Sequence, residues 1–447
     1  MICKFERSTP MSLKAGFCKL SIVPDFPVSL SGYGGESQRF CEEVAEPIYL
    51  TCISVANDEK TILLFTFDTC GLLLAHIQEM REMITAETGI PAENIFFGAT
   101  HCHNGASMYP TGMPQAIQYN QFVFPIAVEA AKGAIADLAP ATLSANCPEI
   151  QGMNFTRHYI GIDGNKYSAN MAFPKEMTMV DHNTLCDRRM ALARFTREGK
   201  KDIVIINWQA HPDSAYAIGF KKMCPSWIGR LRDKTESLTD TLVAYFTGTA
   251  GNQTTDSRLP DRKHGLQWFE YGEKMGEIAA EQLKYLKPVE GDEIVTAREL
   301  FDAPVNHSQD DLYEVAGEIL DLFQKGEKEK GAELLAKHHL ANTSHANALR
   351  TRAKMAESIG LELNAFRIGT VGFVTNTCET FGNQGIFVKD HSPFDTTFFF
   401  TGNRSYIACE DAFNYFAYEA YGNSAYYAQG AAEKMADKLV EMLRSVQ

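Results

Sequence analysis

Six runs of strand length are apolar almost without interruption, and this constrains the fold more than anything else in the chain. They read TILLFTF (61–67), NIFFGAT (94–100), DIVIINW (202–208), TLVAYFTG (241–248), FRIGTVGFVT (366–375) and TTFFFTG (396–402). A strand with one face in water alternates apolar and polar residues, whereas a run without alternation has to be covered on both faces. The chain supplies helices for that purpose. Between the first two runs, Leu73, Ile77, Met80 and Ile84 recur at helical spacing until Gly89 and Pro91 stop the pattern, giving a strand-helix-strand unit. Ser308, a helix-capping residue type, precedes Leu312, Val315, Ala316, Ile319, Leu320 and Phe323, which repeat every three to four residues until Gly326. The stretch at about 306–360 therefore reads as a mostly helical insertion. Near the C-terminus, Ala432, Met435, Ala436, Leu439 and Leu443 form one apolar stripe. The expected fold is mixed α/β: buried mixed β-sheets flanked by helices, in a single domain over residues 1–447, with no internal repeat or Pro/Gly/Ser-rich linker.

With 447 residues, 45% of them hydrophobic, the chain can bury a large core. Its 42 Lys and Arg against 56 Asp and Glu give a formal charge of −14, which repels phosphate backbones and anionic lipid headgroups, so nucleic acid is not an expected partner. No run approaches the roughly 18 apolar residues of a membrane span, and the N-terminal stretch MICKFERSTPMSLKAGFCKLSIVPDF has no uninterrupted apolar signal region. A cytoplasmic location is the default expectation. Eleven cysteines without CxxC pairing read as reduced thiols, with Cys102 and Cys378 as packing residues. The composition is compatible with a homo-oligomer.

In sheets carrying helices, ligand sites gather beyond the carboxyl ends of the strands. Here those ends carry metal-ligand chemistry. The second run leads into His101 and His103, the third into QAHPDSA with His211, the fifth into NTCETFGNQG with Glu379, and the sixth into GNRSY with Tyr406. The fourth enters the loop GTAGNQTTD. Zinc favours imidazole nitrogen and carboxylate oxygen, and two histidines with one carboxylate is a set that leaves a coordination position for water. A phenol joins such a set once a nearby dication promotes loss of its proton. In an extended backbone, residues i and i+2 point the same way, so His101 and His103 are expected to face one cavity. Either both bind metal, or one does while the other handles protons or a developing oxyanion. Asp68, ending the first run, reads equally as a group behind the metal ligands or as a turn former at a strand end.

The segments GATHCHNG, INWQAHPDSA, FTGTAGNQTT, TCETFGNQGIFVKDHSPF and NRSYIACEDAFNYFAYEA, with LSGYGG and NFTRHYIGIDG, occur in an order and approximate spacing that resembles the catalytic domain of the neutral/alkaline, non-lysosomal ceramidase family. The likeness runs from about Ala15 to about Gln429. It implies a zinc amidase that cleaves an N-acyl bond. It further implies zinc ligands at His101, His211, Glu379 and Tyr406, and a histidine near the scissile carbonyl at His103. Arg157 and Tyr418 match polar residues lining the catalytic cleft; a surface salt bridge for Arg157 and core packing for Tyr418 are the plainer alternatives.

Departures from the family pattern bear on substrate. The family's GDxSPN loop is GNQTTD here, with Asn252 at the aspartate and Thr254 at the serine, whose hydroxyl could keep a polar role. The family's HSGP is HNGA, with Asn104 and Ala106. No counterpart of the family's C-terminal immunoglobulin-like domain is expected. The implied activity is zinc-dependent hydrolysis of the amide in a small N-acylated substrate, ceramide or a ceramide-like compound. A hydrolase of soluble amides or esters unrelated to sphingolipids, and a non-catalytic metal-binding protein on the same fold, stay open beside it. The insertion either caps the cleft or packs its stripe on the core.

Overall fold

The computed structural model describes residues 13–34, 38–109, 114–169, 177–402 and 405–447; Gly35 of LSGYGG, Pro110, and Asn403 and Arg404 of GNRSY lie outside the described residues. Two large sheets are stacked face to face, with helices on both outer faces. The first sheet runs, from edge to edge, Leu242–Thr247, Ile203–Trp208, Ala191–Arg197, Ala139–Asn146, Lys14–Ser21, Tyr49–Ala56, Thr61–Phe67 and Ile95–Ala99. Its middle is antiparallel, and each edge is a parallel pair. The second sheet is Ile294–Pro304, Ser358–Ile368, Val371–Asn376 and Thr396–Thr401, again with its parallel pair at one edge. Parallel neighbours need a crossover, and the helices Leu74–Thr88, Trp227–Thr239 and Gly382–His391 supply one to each pair.

The mixed α/β architecture expected from the apolar runs is the one observed. Ile203–Trp208, Ile95–Ala99, Val371–Asn376 and Thr396–Thr401 are buried along their whole length. Between the sheets, Phe96 stacks on Phe366 at 4.3 Å, Phe366 on Phe373 at 4.6 Å, Phe373 on Phe398 at 4.8 Å, and Phe246 on Phe400 at 4.0 Å. Helices Leu74–Thr88 and Pro114–Ala136 cover one outer face of the first sheet, and Trp227–Thr239 with Trp268–Gln282 cover its other end. Helix Ala431–Ser445 buries the predicted stripe against the second sheet.

Two readings of the sequence need correction. The run 366–375 is not one strand: the chain reverses between Ile368 and Val371, where Gly369 takes φ 54 and a side chain would come within 2.4 Å of the Glu290 carbonyl oxygen. Ser308 is not a helix cap, because Asn306 Oδ1 accepts both its backbone N–H (3.2 Å) and its hydroxyl (2.6 Å). The helix instead starts at Tyr313 after a 3-10 turn over Asp310–Leu312. The 306–360 stretch does hold three helices, Tyr313–Gln324, Lys328–Lys337 and Thr343–Arg352, joining two antiparallel neighbours of the second sheet. They share a small core of Ala316, Ile319, Leu335, Leu340, Ala346 and Leu349. Buried Arg352 ties them to the segment after Tyr418 by donating to the carbonyls of Tyr421 (3.1 Å) and Ala425 (3.0 Å). No helix among the described residues is long and apolar enough to cross a membrane.

The layers are cross-linked by charge as well. Arg81 of the first crossover helix forks onto Glu362 of the second sheet at 2.5 and 2.7 Å, both side chains buried. Removing one partner of such a pair strands the other charge away from water. Glu362→Ala is expected to cost about 3–5 kcal/mol in denaturant unfolding. Glu42→Ala, which breaks an exposed pair with Lys221, should leave the midpoint unchanged.

Candidate metal centre and its cleft

The parallel edges bring the strand ends together. His101 lies just past Ile95–Ala99, His211 past Ile203–Trp208, Glu379 past Val371–Asn376 and Tyr406 past Thr396–Thr401. Glu379 and Tyr406 are direct partners in a short parallel pair, and the Glu379 N–H donates to the Ser405 carbonyl at 2.8 Å. These residues, with His103, Arg157 and Tyr418, line one cleft of about 400 Å³.

At its base the Nε2 atoms of His101 and His211 lie 3.2 Å apart, those of His101 and His103 3.3 Å, and those of His211 and His103 3.0 Å. Glu379 Oε2 is 3.2 Å from His101 Nε2. Nitrogen ligands at 2.0–2.1 Å in tetrahedral arrangement would sit about 3.3 Å apart, so the spacing is that of atoms sharing one cation. The other ring nitrogens fix the tautomers: His101 Nδ1 donates to the Cys70 carbonyl at 2.6 Å and His211 Nδ1 to the Ala250 carbonyl at 3.3 Å. A carbonyl can only accept, so in the neutral rings both Nε2 atoms present lone pairs to each other. Burial opposes charge on His101, yet Glu379 and Cys70 outweigh it and raise its pKa well above the ordinary imidazole value. Burial, then Arg157 and the two neighbouring imidazoles, hold His211 well below that value. Three imidazole nitrogens and one carboxylate oxygen thus converge at the spacing expected of ligands to a dication. His101, His211 and Glu379 have the donor chemistry for one.

One local expectation is overturned. The backbone at His101 is left-handed, with φ 58, and not extended. That strained turn aims Nδ1 at the Cys70 carbonyl and still returns the ring beside His103. His103 is held from behind by Gly32 of LSGYGG, where a Cβ would lie 2.4 Å from the imidazole, and by Arg39, which donates to its carbonyl at 3.1 Å.

Arg157 is buried rather than at the surface. It donates through Nη2 to Tyr406 Oη at 3.1 Å and the Gly251 carbonyl at 2.7 Å, and through Nε to Glu419 at 2.8 Å. Glu419 in turn accepts from His158 Nε2 and Ser168 Oγ, each at 3.0 Å. Burial and Glu379 push the Tyr406 phenol well above its usual range, while Arg157 works the other way. The Tyr418 ring stands 5.9 Å from that of Tyr406.

The structure does not bring Thr254 to this cleft. Its short strand pairs with Phe155, and it lines a neighbouring cleft instead. Asn252 packs close by, accepting the Gly382 N–H at 2.9 Å. Asp68 sits behind the site as the buried partner of Arg232, at 3.0 and 2.7 Å. Cys102 and Cys378 are fully buried packing residues. Among the residues of the cleft and its support that escaped the sequence reading are Asn423, Ser424, Cys70, Asp213 and Glu419. The last two lie within the segments QAHPDSA and FAYEA, so a search for carboxylates beside the assigned positions would have found them.

Fold and site together define a mixed α/β chain with a histidine-carboxylate cleft at its strand ends. The mixed α/β fold is similar to that of solved neutral ceramidase structures. The neutral ceramidase of Pseudomonas aeruginosa superimposes with a TM-score of 0.68 over 97% of this chain and 74% of its own, at 14% identity. A ceramidase complexed with C2 does so with a TM-score of 0.69 over 97% and 75%, at 15% identity. No family model and no curated protein sequence matches the chain.

The carboxylate beneath Arg157 yields a pH test. Burial alone would raise the Glu419 pKa, but His158 and Arg157 hold it down at about 2. Its stabilising effect is complete above the ordinary carboxylate pKa near 4.5 and is lost as pH falls from there through about 2. Glu419→Gln is expected to be less stable by about 3 kcal/mol at neutral pH and to lose this share of the acid dependence between pH 5 and 2, read from denaturant midpoints. An unchanged slope would show that Glu419 does not carry the effect.

Proposed function

We propose that the protein is a zinc-dependent hydrolase of an amide bond in a small N-acylated substrate. The observation that carries this reading is the convergence of three imidazole nitrogens and a carboxylate at the base of an open cleft, with the ring tautomers fixed by backbone carbonyls. Likeness of fold to the ceramidases supports it.

His101, His211, Glu379 and Tyr406 would hold the metal. Zinc, when bound, supplies polarisation of the amide carbonyl and lowers the pKa of a water from 15.7 towards ~7. The residues do the rest. Water oxygen bonds to the carbonyl carbon, the C–N bond breaks, and the products are a carboxylic acid and an amine. His103, whose ring nitrogen faces the same point, takes the proton given up by water and delivers it to the leaving nitrogen. Arg157 keeps Tyr406 in place and, with Tyr418, faces the charge that develops on the carbonyl oxygen.

One observation favours a soluble amide over a ceramide-like one. Among the described residues the cleft walls are glycine, aromatic, cysteine and polar side chains, with no aliphatic wall for a long acyl chain.

His101→Ala and Glu379→Ala are each expected to lose zinc, by metal analysis of the purified protein, and to lose amide hydrolysis while keeping the far-UV dichroism of the parent. A parent protein that stays active after chelation would sink the proposal. His103→Ala should retain zinc and slow turnover by about 10²-fold or more; near-normal rates would make that histidine structural.

A further inference from the structure

The metal cleft has a neighbour across a shared wall. Tyr33 and Asp213 line both it and a second cleft of about 440 Å³ beside it. The Tyr33 hydroxyl donates to the Asp213 carbonyl, which fixes this boundary. The second cleft is where Thr254 sits, together with Ser214, Thr255 and Lys263. Ser214 Oγ is buried and has no hydrogen-bond partner in the described structure. A buried hydroxyl without a partner costs free energy that a ligand group can recover.

Charge narrows what that ligand is. Asp213 and Asp256 line the second cleft along with Arg258 and Lys263, so its walls carry no net charge. Asp256 is already occupied by the backbone N–H groups of Ser257 (2.8 Å), His264 (3.1 Å) and Gly265 (3.1 Å). The carboxylates and cations offset one another in formal charge, and a neutral group that both donates and accepts suits the hydroxyls of Ser214, Thr254 and Thr255. Trp268 adds an aromatic surface to the same wall, against which the C–H face of a saturated ring can lie.

We propose that the second cleft is a subsite for a neutral, polyhydroxylated portion of the substrate, so that the amide placed at the metal centre belongs to an N-acylated amino sugar or a polyol amide of the same chemistry. The subsite rests on the hydrolase reading above for what happens to the bound molecule, but its recognition chemistry can be measured separately. Each wall hydroxyl that meets a substrate hydroxyl is worth about tenfold in selectivity.

The test uses the full chain loaded with zinc and two probes, N-acetylglucosamine and acetanilide, the second an amide without hydroxyls. Calorimetry reads binding, and amine release reads hydrolysis. The expected result is binding of N-acetylglucosamine and a kcat/KM ratio of sugar amide to anilide that falls about tenfold in Ser214→Ala and again in Thr254→Val. Thr254→Val preserves shape in a strand and carries the test if Ser214→Ala misfolds. Binding of the sugar amide that weakens in both variants, with neither probe hydrolysed, would uphold the subsite and overturn the hydrolase reading. Hydrolysis of acetanilide without binding of the sugar amide, or a ratio unmoved in the folded variants, would overturn the subsite.

Discussion

Two sheets pressed together through a column of phenylalanine rings determine where every important strand stops. Phe96, Phe246, Phe366, Phe373, Phe398 and Phe400 lie in one core cluster drawn from both sheets. Close-packed interiors resist even small displacements. The residues directly beyond these strands therefore inherit their positions from the core and not from the flexible loops farther along the chain. His101 is five residues past Phe96, and Tyr406 six past Phe400. A shift of either sheet along the other would separate these residues, because His101 and His211 follow strands of the first sheet, whereas Glu379 and Tyr406 follow strands of the second and pair with each other.

That rigidity has an electrostatic counterpart. Three imidazoles and a carboxylate converge in a buried site, and the surrounding structure has to hold them there. It does so with backbone carbonyls under the two Nδ1 atoms, a left-handed turn at His101, and a buried run of Glu419, Arg157 and Tyr406. Each is costly in isolation: burying Glu419 without Arg157 and His158 would leave a charge without a partner. Such strain and burial cluster at functional sites.

The sequence was readable where periodicity and strand ends coincide. Uninterrupted runs such as DIVIINW announce two-sided burial, and His101, His211, Glu379 and Tyr406 all stand within a few residues of the carboxyl end of such a run. Three things were not legible. The reversal at Gly369 is hidden because apolar residues flank it on both sides, so FRIGTVGFVT resembles one long strand. Cys70 meets His101 through its carbonyl at 2.6 Å as well as its thiol at 4.0 Å, and no side-chain pattern reports a backbone acceptor. Thr254 matches a family position in the linear order of motifs, yet the backbone pairing of Gln253 and Thr254 with Phe155 and Thr156 places it in the next cleft.

Chemistry and selectivity are thus carried by different parts of the same architecture. The candidate metal donors sit at strand ends fixed by the core, whereas the walls around them come from connecting segments: Gly32 to Gly34, Asp213 with Ser214 and Ala217, Thr254 to Arg258, and Asn423 with Ser424. Connecting segments can change residue type without moving the sheets, because few core contacts depend on them. A fold shared with ceramidases at 14–15% identity therefore does not by itself assign chemistry or substrate, which have to be argued from this chain's own side chains. The hydroxyl-rich wall beyond Asp213 is a property of this chain's own segments, and in the proposed subsite Ser214, Thr254 and Thr255 are the residues through which selectivity would be set.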